Sequence, residues 1–316
     1  MKKWILAAVA LVIAGAVICL AAAAAMHFDF GKLDSGKYET NTYEVKESFR
    51  GISVTGSAEK VFFRPAEDGK CRVVCLEEEH LRHEVTVAGG TLTVKSLDSR
   101  KLADHLGLYT RSPEITVYLP ERVYSELRIA TDTGDITVPA DFVFDSIAIQ
   151  GDTSDVTCLA SAKNRLEIAI STGDLSLAAV TAGSIDLKTT TGQVRAESVN
   201  CEGDVHIRVD TGTVKLQDMT CRNLTSEGTT GDLTLDRVLA SDSFSITRGT
   251  GDVEFNESDA ASVFVRTDTG DVTGSLLSEK VFLIETDTGK VEVPKTITGG
   301  RCEISTDTGD IRIEVR

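Results

Sequence analysis

The string DTGD and its near copies recur from Asp132 to Asp310 at a spacing of 19 or 20 residues, which makes this chain a repeat protein. The register is marked by Gly134, Gly173, Gly192, Gly212, Gly231, Gly251, Gly270, Gly289 and Gly309, with Ser154 in the second slot, so the markers count ten coils. The second residue after the marker is aliphatic in every coil, from Ile136 and Val156 to Val291 and Ile311. The fifth residue before it is aliphatic in nine of ten, Ser226 being the exception. The seventh before it keeps the same face, from Leu127 and Ile147 to Phe282, until Cys302 in the last coil. Alternation of period two on both sides of a glycine turn spells strand, turn, strand. One such unit cannot bury its apolar face alone, whereas stacked units pair strand with strand around a continuous core. The expected fold class is all-β: a parallel β-solenoid of about ten coils of 19–20 residues, with a β-rich amino-terminal cap and one transmembrane helix. At ~4.8 Å per layer, such a stack is a rod roughly 50 Å long.

Four regions follow: 1–26 as membrane anchor or uncleaved signal, 27–42 as linker, 43–124 as cap and 125–316 as solenoid. Trp4 to Ala25 carries no charge, and about 20 apolar residues suffice to span a bilayer. Lys2 and Lys3 precede that run, which predicts the bulk of the chain outside the cytoplasm. Ala23, Ala24 and Ala25 would also satisfy a signal cleavage site, with secretion as the alternative. In the cap, strands are expected at 52–54, 61–63, 72–76, 85–87, 92–94 and 115–119, with Gly89 and Gly90 in a hairpin turn. Ser99 to Ser112 breaks the strand pattern.

An anchoring helix, a lead-in ending in the ITVYLP strand from Ile115 to Pro120, and then iterated L-x-I-x-T-x-T-G-D-I-x-V resemble the bacterial family known as putative adhesins, domain of unknown function 4097. The resemblance covers roughly residues 45 to 316 and implies a surface-exposed β-solenoid without an assigned enzymatic activity.

DTG is also the signature of aspartic proteases and occurs five times, at Asp132, Asp210, Asp268, Asp287 and Asp307. A protease needs two such loops facing each other so that two carboxylates share a proton; motifs locked to a coil period lie along one edge instead. Seven coils carry Asp directly after the marker and six carry Asp two residues before it. Hard oxygen ligands suit calcium, with Asp132, Asp135, Asp152, Asp155, Asp268, Asp271, Asp307 and Asp310 as the candidates. No coil supplies the six or more oxygens of a dedicated site, so a solvated acidic edge held by turn geometry is the favoured reading, and no cofactor is expected. Cys71, Cys75, His80 and His83 have a zinc-like spacing, but Cys71 and Cys75 on one strand would sit about 13 Å apart. Cys201 and Cys221 both fall nine residues after their marker and should be stacked neighbours, in a slot that elsewhere holds Ala182, Ala240 and Ala260.

No Ser-His-Asp, paired-Glu or phosphate-loop pattern stands out, so no enzyme is expected. The formal charge of −16, or −18 without Lys2 and Lys3, disfavours nucleic acid. The reading is a membrane-anchored extracytoplasmic module that binds at a surface, with protein or envelope glycan as partner, or that builds the envelope. Alternatives are an envelope sensor signalling through a membrane partner and, less favoured, a polysaccharide-active enzyme. Strand addition at the bare carboxy-terminal edge, Ile311 to Val315, is a further expectation.

Overall fold

The computed structural model describes residues 2–25, 37–101 and 111–316. Most of the expected linker and most of Ser99 to Ser112 lie outside them. The helix α1 (Lys2–Ala25) forms at the amino terminus. The expected transmembrane helix is corrected, because among the described residues no helix is long and apolar enough to cross a membrane. The expectation counted uncharged residues, and half of Trp4 to Ala25 is alanine or glycine, which offer far less apolar surface to lipid than Leu or Ile. Single-pass anchoring through residues 4–25 is accordingly not supported. The architecture is an all-β parallel solenoid of about ten coils preceded by one helix.

The coils stack in register as the marker predicts. The column five residues before the marker runs Ile129, Ile149, Ile168, Leu187, Ile207, Ser226, Ile246 and Val265 through paired neighbours. The column two residues after it runs Ile136, Val156, Leu175, Val194, Val214, Leu233, Val253 and Val272. Nearly all of these side chains are buried, and they form one core along the rod.

Glycine is required at the marker because the layers nearly touch there. A Cβ on Gly212 would sit 1.8 Å from the Gly192 carbonyl oxygen, and φ is +145°, a region that side chains strongly disfavour. A second turn, six residues after the marker, places Ala179, Ser198, Asp218, Arg237 and Glu257 in the left-handed region with φ of 49 to 55°. Arg237 holds this corner by donating from Nε and Nη2 to Asp218 at 2.6 and 3.1 Å.

The lead-in strands are β1 (Tyr38–Glu44), β2 (Gly51–Thr55), β3 (Lys60–Pro65), β4 (Arg72–Glu78), β5 (Leu81–Ala88), β6 (Thr91–Asp98) and β7 (Glu114–Leu119). The six expected strands all form, with Gly89 and Gly90 at positive φ in the β5–β6 hairpin; β1 was missed and takes the end of the expected linker. Two layers join the parallel stack: β2 pairs with both β6 and coil one, and β3 with both β7 and coil one. Strands β4 and β5 run antiparallel along β7 and β6, closing that end.

At the other end the layers are out of chain order. Coil ten (Gly300–Thr308 and Ile311–Val315) pairs with coil eight through Val265↔Ile304 and Val272↔Ile311. Coil nine (Lys280–Thr288 and Val291–Glu292) lies outside coil ten, through Ile284↔Ile304 and Val291↔Ile311. Coil ten is therefore sandwiched as far as Arg312; of the bare edge expected at Ile311 to Val315, coil nine covers Ile311 and Arg312, and Ile313 to Val315 pair with coil eight alone.

Candidate functional site

The aspartate edge is built from the turn outward. The Asp after the marker turns its Oδ1 onto the next layer, where a backbone N–H meets it. Asp155 accepts from Asp174, Asp174 from Gln193, Asp232 from Asp252 and Asp252 from Asp271, at 2.8 to 2.9 Å. The same bond crosses the reordered end: Asp271 accepts from Asp310 at 2.7 Å and Asp310 from Lys290 at 2.8 Å. Asp135, next to the cap, is met by Lys60 Nζ at 2.8 Å. Each carboxylate so engaged has work in holding layers together, which relieves the repulsion of stacked charges and explains why Asp recurs. Among the calcium candidates, Asp132 and Asp152 line an open groove instead.

That groove, about 420 Å³, runs over the outward face of the amino-terminal coils. Its floor is small or neutral, with Gly56, Ala130, Gly151, Ala169, Gln150 and Thr190, and Lys188, Asp132 and Asp152 stand at its sides. A neighbouring groove of about 450 Å³ shares Ala130 and Gln150 and extends over Ala148. Beside the grooves Arg128 pairs with Glu126 at 2.6 Å, and Arg165 with Glu167 and Asp186 at 3.1 Å.

A different cluster fills the closed end. Glu59 occupies the marker slot of the β2–β3 layer, beneath Gly134. Its Oε2 accepts from Ser57 and Ala58 N–H at 2.6 and 2.9 Å, and its Oε1 meets His83 Nε2 at 3.1 Å and the Ser96 hydroxyl. His83 Nδ1 lies 3.0 Å from Glu77 Oε1, which also accepts from Tyr43 at 2.9 Å, while Asn41 and Arg82 donate to Oε2. Burial opposes ionisation of Glu59, but the hydrogen bonds from His83, Ser96 and Ser57 outweigh it and hold its carboxyl down to about 2. Burial likewise opposes the charge on His83, and the bonds and charges of Glu59 and Glu77 outweigh it, raising its pKa. Burial, then the Glu77 bond, pushes the Tyr43 hydroxyl up to about 12.

Among the described residues, Cys75, Glu77 and His83 are the one group of three whose ligand atoms lie within 4.8 Å of one another. Of the four residues with zinc-like spacing the fold thus joins Cys75 and His83, without Cys71 and His80. The group fits a metal poorly: both imidazole nitrogens are engaged, and burial pushes the Cys75 thiol up to about 12. Glu59 and Glu77 were missed by sequence reasoning. Glu77 was findable, since it shares the inward parity of Val73 and Cys75; Glu59 follows from no local pattern.

Cys201 and Cys221 are stacked as expected, next to the pair Asn200↔Thr220, and both are free thiols. The Ser226 exception also has a cause. Arg248 of the next coil is 1% exposed and its Nη2 donates to Ser226 Oγ at 2.7 Å. Its Nη1 lies 2.0 Å from where a Cβ of Gly228 would be.

The family model Toastrack DUF4097 matches residues 49–208 and again 202–316. Among solved structures, a putative adhesin from Parabacteroides distasonis is 12% identical, with a TM-score of 0.49 over 89% of this chain and 98% of that one. A putative adhesin from Bacteroides fragilis is 14% identical, with a TM-score of 0.43 over 88% and 97%. A putative lipid binding protein from Parabacteroides distasonis is 14% identical, with a TM-score of 0.40 over 89% and 98%. No curated protein sequence matches the chain.

Proposed function

This chain belongs to the Toastrack DUF4097 family, and we propose that it acts without catalysis, as an extracytoplasmic rod that presents a binding surface in the manner of an adhesin. The observation that carries this is the outward groove over the first coils, whose floor of Ala130, Ala169, Gly151 and Gln150 is neutral. Beside it Arg128 and Arg165 are tied to Glu126, Glu167 and Asp186 within the chain, so the face suits an uncharged polar polymer such as an envelope glycan better than a strongly charged partner. Two sets of acidic groups are engaged elsewhere: the aspartates after the marker accept backbone N–H bonds, and the Glu59–His83–Glu77 cluster is buried at the capped end. The sensor reading required a helix across the bilayer and is not retained.

The test is retention of envelope glycans and of surface proteins on the immobilised chain, compared with Ala148→Arg and Ala169→Arg. Binding that both substitutions abolish, with no turnover of the glycan, supports the reading. Glycan cleavage, or retention indifferent to both substitutions, refutes it.

A further inference from the structure

The slot that coil ten fills is defined almost entirely by contacts that any copy of this chain can make. On the coil-eight side, Gly270 N–H donates to Thr308 O at 2.9 Å and Asp310 N–H to Asp271 Oδ1 at 2.7 Å. On the coil-nine side, Gly309 N–H donates to Thr288 O at 3.0 Å and Lys290 N–H to Asp310 Oδ1 at 2.8 Å. The outward side chains add Arg312 Nε to Glu292 at 2.9 Å. None of these bonds depends on which chain coil ten comes from.

Lys290 suits this order better than the simple one. Were coil nine to sit directly on coil eight, the N–H of Asp310 would face Lys290, which has no acceptor to offer. With coil nine outermost, each N–H after the marker from coil eight outward meets a carboxylate. Lysine and Pro294 then fall on the exposed end, where both discourage another strand from adding to it. The free edge of coil nine is thus guarded, and beneath it lies the slot that coil ten fills.

Opening that slot means lifting only coil nine. Its Phe282 and Ile284 are half-buried, whereas their column mates Cys302 and Ile304 in coil ten are fully buried, so apart from the buried Lys280–Asp259 pair at 2.7 Å the outer layer has the weaker apolar hold. The connector from Pro294 to Gly299 contains Ile297, 92% exposed, and turns at Gly299 with φ of +104°. Six extended residues reach about 20 Å, several times the ~4.8 Å of one layer.

We propose that the slot between coils eight and nine is a strand-exchange site, and that its partner is coil ten of a second copy of this chain, joining two rods at these ends. The exchanged pair keeps every bond named above and differs only in the path of the connector.

Phe264 and Glu303 face each other across coils eight and ten on the outer surface, which gives a direct test. Full-length Phe264→Cys and Glu303→Cys chains are mixed at high concentration, warmed below the melting transition, cooled and oxidised. The expected result is a disulfide-linked dimer several-fold more abundant in the mixture than in either population alone, with twice the mass by light scattering. The double variant in one chain should close its own disulfide, confirming that coil ten lies beside coil eight. If the double variant closes and the mixture yields no more dimer than the separate populations, strand exchange is refuted. If the double variant fails to close, the slot itself is refuted.

Discussion

Replacing Ser226 by Ile, as the other coils would suggest, should destabilise the protein, and adding Arg248→Thr should reverse that loss. In the wild type, Arg248 is buried with one side-chain acceptor, Ser226 Oγ at 2.7 Å, and its Nε has no partner. Burial pushes its pKa from 12.5 down to about 10, a penalty of about 3 kcal/mol at ~1.4 kcal/mol per unit. Ser226→Ile removes the hydrogen bond to a charged group, at about 1.5 to 3 kcal/mol, and crowds a closed core, at about 1 to 3 kcal/mol. A loss of roughly 3 kcal/mol or more is expected. Arg248→Thr alone lifts the charge penalty but leaves a void costing a similar amount, so it should lie within about 1 kcal/mol of wild type. In the double variant Ile fills the void, and stability should equal or exceed wild type by about 1 kcal/mol. Denaturant unfolding followed by circular dichroism gives the four corners of the cycle, and hydrogen exchange in coils six and seven localises the change. A Ser226→Ile chain as stable as wild type, or a double variant no better than Ser226→Ile, would refute the account of the exception.

Three further outcomes are expected. Leu175, 1% exposed, should tolerate Asp poorly, at a cost of several kcal/mol, whereas Asp174→Asn should cost little because an amide oxygen can still accept from Gln193 N–H; equal shifts in a urea series would show the strand parity to be wrong. Thermal melts with calcium and with chelator should coincide, since the engaged aspartates already accept backbone N–H groups; a large calcium-dependent rise in Tm would make the edge a metal site. The cap should be most stable from about pH 4.5 to about pH 6.5. Glu59, held down to about 2, contributes stability above its ordinary value and loses it as pH falls through about 2; His83, raised, contributes below about 6.5 and loses it as pH rises through its folded value. His83→Gln should flatten the alkaline limb in hydrogen exchange of β4 and β5, and an unchanged limb would remove His83 from the cap's stability.

Sequence alone determined the coil. A marker glycine, Asp after it and aliphatic residues at fixed offsets are local features, and one period repeated along the chain fixes which side chains point inward and which columns stack. Ile129, Leu187 and Val265 were readable in this way, as were the stacked Cys201 and Cys221. Tertiary structure alone decided the order of layers at both ends. The ladder bonds are made by backbone groups and are nearly the same between any two coils, so the period cannot rank neighbours. That leaves room for side chains such as Lys290, whose fit depends on what lies across from it. The same reason hid the Glu59–His83–Glu77 cluster, assembled from residues up to 24 positions apart, and the tie between Ser226 and Arg248 across 22. The membrane reading failed differently: absence of charge is visible in sequence, but it does not measure how much apolar surface a helix offers to lipid.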